Sequence, residues 1–169
     1  MTERIAIIDG VRTPFCKVDT HFSDYQADQL GALPVREIIL RTGIKDIDEV
    51  IVGNCAQPAH AANVGRVIAL RAGIPKYVPA ITVHRNCASG MEAITTGAQR
   101  LLLGQADVIC AAGVESMSNI PLLFNKKMTR LFGQLFKSKT VGQRLKTLLS
   151  FRPSFLAPVI GLKVGLTDP

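Results

Sequence analysis

Over its first 112 residues the chain alternates short apolar runs with stretches of helical spacing, and glycine or proline closes nearly every one. Arg4–Asp9, Glu49–Val52, Ala80–His84 and Asp107–Ala112 are too short for helices and read as strands. Between them, Asp28–Thr42 carries apolar residues at 30, 33, 35, 38, 39 and 40 and stops at Gly43. Asn63–Ala72 closes on Gly73 and Pro75, and Ala88–Leu103 offers Met91, Ala93, Ile94, Ala98, Leu101 and Leu102 for packing before Gly104. Strands without polar alternation are buried on both faces, and strands separated by helices pair in parallel. The fold class is therefore α/β, with a mixed, mostly parallel sheet covered by helices on both faces.

Beyond Pro121 the character changes, and we place a domain boundary there: 1–120 as the α/β core, 121–169 as an incomplete basic helical loop region. Met128, Leu131, Phe132, Leu135 and Phe136 fall at i, i+3, i+4, i+7 and i+8, which predicts an amphipathic helix. Val141, Leu145, Leu148 and Leu149 predict a second, shorter one, and Phe151–Pro169 reads as loop. The formal charge of +7 is an average over unlike parts. Residues 1–120 hold 11 Lys+Arg against 12 Asp+Glu, whereas residues 121–169 hold 9 against the single acid Asp168. A basic segment on a near-neutral domain points to a local anionic ligand or partner. It offers no nucleic-acid recognition motif, so no nucleic-acid partner is expected.

The 47% hydrophobic content supports a packed core. No apolar run reaches the ~18 residues of a spanning helix, and Met1–Gly10 lacks the apolar segment of a secretory signal. The chain reads as soluble and cytoplasmic. Its cysteines, at 16, 55, 87 and 110, show neither CxxC spacing nor zinc-type clustering with His21, His60 and His84, so no metal is expected.

The chemistry concentrates in Thr82–Ile94, where a strand runs into a tight connection and a helix begins at or near Cys87. A thiol at a helix start meets unpaired N–H groups and the positive end of the dipole, which favour the nucleophilic thiolate. Ala88, Ser89 and Gly90 are small enough to admit an acyl substrate to the sulfur. A buried cysteine can equally be an inert packing residue. Cys110, inside an apolar run, reads that way, and Cys16 and Cys55 lie in loops without an evident activating partner. His84, three residues before Cys87, reads as a packing or hydrogen-bonded residue that could come near the thiol; His21 and His60 read as loop residues.

These residues carry a resemblance. Asp9-Gly-Val-Arg-Thr-Pro-Phe15, Asn63-Val-Gly-Arg-Val-Ile-Ala-Leu-Arg-Ala-Gly-Ile-Pro75, Asn86-Cys-Ala-Ser-Gly-Met-Glu-Ala-Ile94 and Ala112-Gly-Val-Glu-Ser-Met-Ser118 occur in the order of the thiolase family. The chain resembles a thiolase N-terminal domain. Lys126-Lys-Met-Thr-Arg-Leu131, Val141-Gly-Gln-Arg-Leu145 and Phe155-Leu-Ala-Pro158 make it look most like the long-chain 3-ketoacyl-CoA thiolase branch, the β subunits of fatty-acid-oxidation complexes. The resemblance implies one half of a thiolase, with a five-stranded mixed or mostly parallel sheet and the start of a helical loop insertion near Pro121. It implies an acetyl-CoA C-acyltransferase of fatty-acid β-oxidation, cleaving 3-ketoacyl-CoA with CoA through an acyl-cysteine on Cys87. Coenzyme A would be a substrate, not a bound cofactor, and Leu166 in Gly165-Leu-Thr-Asp168 would line its channel. Implied partners are acyl-CoA, further copies of the chain and the hydratase/dehydrogenase subunit of a β-oxidation complex, with CoA phosphates or an anionic membrane surface facing the basic helices.

Thiolases carry an activating histidine, a second acid/base cysteine and oxyanion-hole groups in a second half. The chain thus reads as a thiolase cut short inside its loop region and, alone, inactive. Two other readings stand beside this one. Decarboxylating ketoacyl synthases share a cysteine at a strand-to-helix turn, though Gly-Val-Arg-Thr-Pro and Glu-Ser-Met-Ser favour thiolase. The fragment could instead be a non-catalytic module that pairs with another subunit through the basic helices.

Overall fold

The computed structural model describes residues 4–160. The chain divides into two compact units, 1–119 and 120–169.

In the first unit, helix α1 (Ala27–Thr42) precedes strand β1 (Glu49–Gly53), helix α2 (Val64–Ala72), strand β2 (Ala80–Val83), helix α3 (Ser89–Leu102) and strand β3 (Ile109–Gly113). The helix ends follow local chemistry. Asn63 accepts the Arg66 N–H at the start of α2, and Gly43 and Gly73 close α1 and α2 in the left-handed conformation that glycine adopts without steric cost. The three strands form a parallel sheet in the order β2-β1-β3. Asp48 sets the register of the β1–β3 pair, its carboxylate accepting the Asp107 and Val108 N–H groups at 2.7 and 2.9 Å. Those two bonds hold its pKa below the ordinary aspartate value.

All five residues of β1 are buried. Val50 and Val52 pack with Ala27, Val35, Val64 and Ile68 of α1 and α2. On the opposite face, Glu49 pairs with Arg100 of α3 at 2.6 Å. Helices therefore cover both faces, as the sequence pattern implies.

One expectation fails. Arg4–Asp9 is not a strand. A strand needs a ladder partner, and none of the described residues supplies one; Ile7 is 90% exposed. The segment instead lines an apolar cavity of about 380 Å³ together with Ile38 and Ile39 of α1, Ile94 and Leu101 of α3 and the outer edge of β3. The core sheet thus has three strands among the described residues rather than the five implied by the family resemblance.

In the second unit, β4 (Leu122–Phe124) pairs antiparallel with β5 (Pro158–Ile160), a short ladder inside a region read from sequence as loop. Helices α4 (Lys126–Lys137) and α5 (Val141–Leu149) lie between them in sequence, as the apolar spacing predicts. Asn125 caps α4, its Oδ1 accepting the Lys127 and Met128 N–H groups while its Nδ2 donates to the Phe155 carbonyl at 3.0 Å. Met128 and Leu131 are buried; α5 buries nothing. No helix among the described residues is long and apolar enough to cross a membrane.

Candidate active site

β2 ends at Val83, one residue before the exposed His84, and the chain turns through Arg85–Ala88 into α3. Asn86 adopts a left-handed conformation (φ 48°), uncommon outside glycine but most accessible to Asn and Asp. The turn is closed by Ala88 N–H to the Arg85 carbonyl at 3.0 Å and Ser89 N–H to the Asn86 carbonyl at 3.1 Å. Regular helix begins at Ser89, two residues beyond Cys87, so the thiol stands on the turn that leads into α3 rather than on the helix itself. Cys87 is an exposed, free thiol.

Three glycines seat this helix start on the sheet. A Cβ on Gly53 would fall 2.1 Å from the Ser89 carbonyl oxygen and 2.6 Å from the Gly90 nitrogen. A Cβ on Gly113 would lie 3.1 Å from the Gly90 Cα. Gly53 and Gly113 are register partners at the ends of β1 and β3. Only bare backbone lets α3 approach the strand ends so closely.

Beneath the turn, Glu115 clasps the loop that follows β1. Its carboxylate accepts from Asn54 Nδ2 at 3.0 Å, from Cys55 N–H at 3.0 Å and from Ala56 N–H at 2.9 Å. Asn54, fully buried, also donates to the Val114 carbonyl at 2.9 Å. Burial pushes the Cys55 thiol pKa up, and the charges of Glu115 and Cys87 push it further, so Cys55 is held in the protonated, less nucleophilic form. Sequence reasoning did not foresee Asn54 or the clasp; the only signal was Glu115 itself inside a quoted family motif.

The remaining candidates separate. Cys110 lies in β3, and burial raises its thiol to about 11, a packing residue as its apolar run suggests. Cys16 is a half-buried free thiol. His60 donates from Nε2 to Asp28 at 3.0 Å, and Arg71 meets the other carboxylate oxygen at 2.6 Å; Asp28 is buried where α1 meets α2. This loop histidine is therefore a partner in a helix-packing ion cluster, which sequence gave no means of seeing. No hydrogen bond joins His84 to Cys87 among the described residues. Leu166 lies outside the described residues. Among the described residues no cluster of three metal-ligating side chains occurs. The apolar cavity beside β3 does not reach Cys87 or its turn.

What the turn can do chemically is nucleophilic catalysis. An accessible thiol stands at the head of a helix, among small neighbours, on a backbone held by tertiary contacts.

Comparison with known proteins gives the family. Residues 5–150 match the family model described as the thiolase N-terminal domain. The β subunit of the mitochondrial trifunctional enzyme from Macaca fascicularis is 40% identical over 156 residues, 91% of this chain and 33% of that protein. A 3-ketoacyl-CoA thiolase from Vibrio cholerae is 37% identical over 98% of this chain and 40% of its own length. The chain thus spans a third to two fifths of the length of these curated relatives. Among solved structures, the acetyl-CoA acetyltransferase of Bacillus anthracis superposes with a TM-score of 0.67 at 35% identity, over 70% of this chain and 30% of that one. The Acat5 thiolase of Ascaris suum, in complex with coenzyme A, superposes equally well at 34% identity, over 69% and 31%.

Proposed function

The chain belongs to the thiolase family, and from that premise we propose that it supplies the acyl-carrying half of a 3-ketoacyl-CoA thiolase. The Cys87 thiolate attacks the C3 carbonyl of a 3-ketoacyl-CoA. The C2–C3 bond then breaks, and its electron pair leaves with C2, which is protonated to give acetyl-CoA. The thiol of free CoA attacks the remaining acyl-cysteine, releasing a shortened acyl-CoA and returning Cys87. Coenzyme A enters as a substrate, a reading supported by the coenzyme A complex of the Ascaris thiolase. The names of the Vibrio and Macaca relatives support a place in fatty-acid β-oxidation, and the word subunit in the Macaca name supports pairing with a second chain; association with further copies of this chain belongs to the same proposal.

The observation that carries the reading is the exposed Cys87 thiol on a left-handed turn entering α3. Incubation with acetoacetyl-CoA or a longer 3-ketoacyl-CoA, followed by peptide mapping, gives an acyl adduct on Cys87 and none in Cys87→Ser. An adduct only on Cys16 or Cys55, or none, refutes it. The 169 residues alone are expected to acylate without turning over. Oxyanion donors are each worth roughly 10²–10³ in rate, acid–base help contributes about 10²–10⁴, and the turn shows neither a base bonded to Cys87 nor a paired donor set. Turnover above about 1 per second that vanishes in Cys87→Ser would overturn that expectation and make His84 the first base to test.

The second unit favours an additional role. Over residues 121–160 it carries eight Lys+Arg and no acid, and Val141, Leu145, Leu148 and Leu149 of α5 are all exposed. An apolar stripe among cations suits an anionic surface, whether lipid headgroups or a partner subunit. Flotation with anionic vesicles, compared with neutral ones, tests it.

A further inference from the structure

Ser89 makes contacts that its place at the head of a helix does not require. A capping hydroxyl accepts from N–H groups two or three residues ahead of it. Ser89 points the other way. Its Oγ accepts the Arg85 N–H at 2.8 Å and donates to the Asn86 carbonyl at 2.6 Å. The two bonds bracket Arg85 and Asn86, and Asn86, the predecessor of Cys87, is the one residue of the turn in a left-handed conformation. The side chain is buried, with Ser89 only 4% exposed, and the Ser89 carbonyl is wedged against Gly53 at the end of β1. The hydroxyl is thereby anchored to the sheet on one side and to the turn on the other.

We propose that Ser89 is a positioning residue for Cys87. Its hydroxyl braces Arg85 and the left-handed Asn86, and so fixes where the next residue, Cys87, stands on the turn into α3. Without the two bonds, only the tolerance of asparagine for this region and the two backbone bonds of the turn remain to hold the left-handed state. Asn86 relaxes, and Cys87 shifts from the position that the turn gives it at the entry to α3. The hydrogen bonds of the Ser89 hydroxyl go to Arg85 and Asn86, so it acts through the turn. The proposal rests on reading Cys87 as the acyl carrier.

The test is limiting iodoacetamide with peptide mapping of Cys87, Cys16 and Cys110 in the intact chain and in Ser89→Ala, Ser89→Thr and Ser89→Val. Thr and Val share a shape and differ in the hydroxyl. Displacement of the thiol predicts that Ala and Val label Cys87 about tenfold more slowly or worse, with Cys16 unchanged and Cys110 still protected, while Thr labels near the native rate. Cys87 labelled alike in Thr and Val, or at the native rate in Ala, overturns the proposal. Fast labelling of Cys110 in Ala and Val also overturns it, because the hydroxyl would then be a determinant of the fold rather than of the turn. The acyl adduct experiment separates the two readings. A Cys87 that never acylates but still follows the Ser89 series in alkylation removes the acyl-carrier reading and leaves the positioning role.

Discussion

Strand β1 and helix α5 stand at opposite ends of how this molecule uses apolar residues. β1 buries all five of its residues between α1 and α2 on one face and α3 on the other. α5 is comparably rich in Val and Leu and buries none of its nine. The difference lies in the backbone. A helix satisfies its N–H and C=O groups within itself, so α5 forms with its apolar stripe uncovered. A strand satisfies none of its own, and β1 exists because β2 and β3 flank it. Arg4–Asp9 is the control: its Ile-Ala-Ile-Ile run is as apolar as β1 but has no ladder partner among the described residues, and it is not a strand.

Substitutions of the same kind in the two regions test this contrast. The largest effect is expected at Ile51, fully buried: Ile51→Ala removes a core side chain and costs about 2–5 kcal/mol in urea unfolding followed by circular dichroism. A loss under 1 kcal/mol would mean that β1 is not the centre of the core. Gly53→Ala follows. The new methyl meets the Ser89 carbonyl, which is backbone and cannot rotate away, so α3 must shift at a cost of about 1–3 kcal/mol. The alkylation rate of Cys87 should fall in the same variant, and a stable Gly53→Ala chain with native Cys87 reactivity would refute the glycine seat.

Asp28→Asn tests the lock between α1 and α2, with an expected loss of about 1–3 kcal/mol. Burial by itself raises the Asp28 pKa, but the His60 hydrogen bond and the Arg71 charge outweigh it and leave the carboxyl below its ordinary value. The sign follows from linkage. A depressed folded pKa contributes stability that is complete above the unfolded aspartate value and is lost as pH falls through the lower folded value. Acid titration of the unfolding midpoint should therefore show a drop in the native chain, below the ordinary aspartate range, that is smaller in Asp28→Asn; identical profiles would count against the lock.

Gly133→Ala, inside α4 with open space around it, should do the reverse of Gly53→Ala and stabilise by about 0.5–1 kcal/mol. Destabilisation there would reveal a contact on α4 that the structure does not show. Smallest of all, Leu149→Ala, at a residue 78% exposed, should leave stability within about 0.5 kcal/mol. A core-sized loss would mean that the α5 stripe is covered after all.

The placement of Cys87 on the connection between β2 and α3 was legible in the residues, as were the helices with their glycine ends at 43, 73 and 104. Each depends on groups within a few positions of one another, through i to i−4 bonding, apolar spacing and the freedom of glycine to take a positive φ. The helix read as Ala88–Leu103 begins one position later, at Ser89, because the turn before it is shaped by the sheet beneath it as well as by local propensity.

What only the tertiary structure decided are relations between residues far apart in the chain. β4 meets β5 across more than thirty residues, Glu115 clasps the loop after Asn54, His60 finds the buried Asp28, and Gly53 receives the Ser89 carbonyl. Spacing in sequence carries no record of such pairs, because each forms only after separate elements have packed and brought a donor to an acceptor or one bare backbone to another. For the same reason an apolar run could announce a strand at residues 4–9 and not become one: the run is a local property, and the ladder is not.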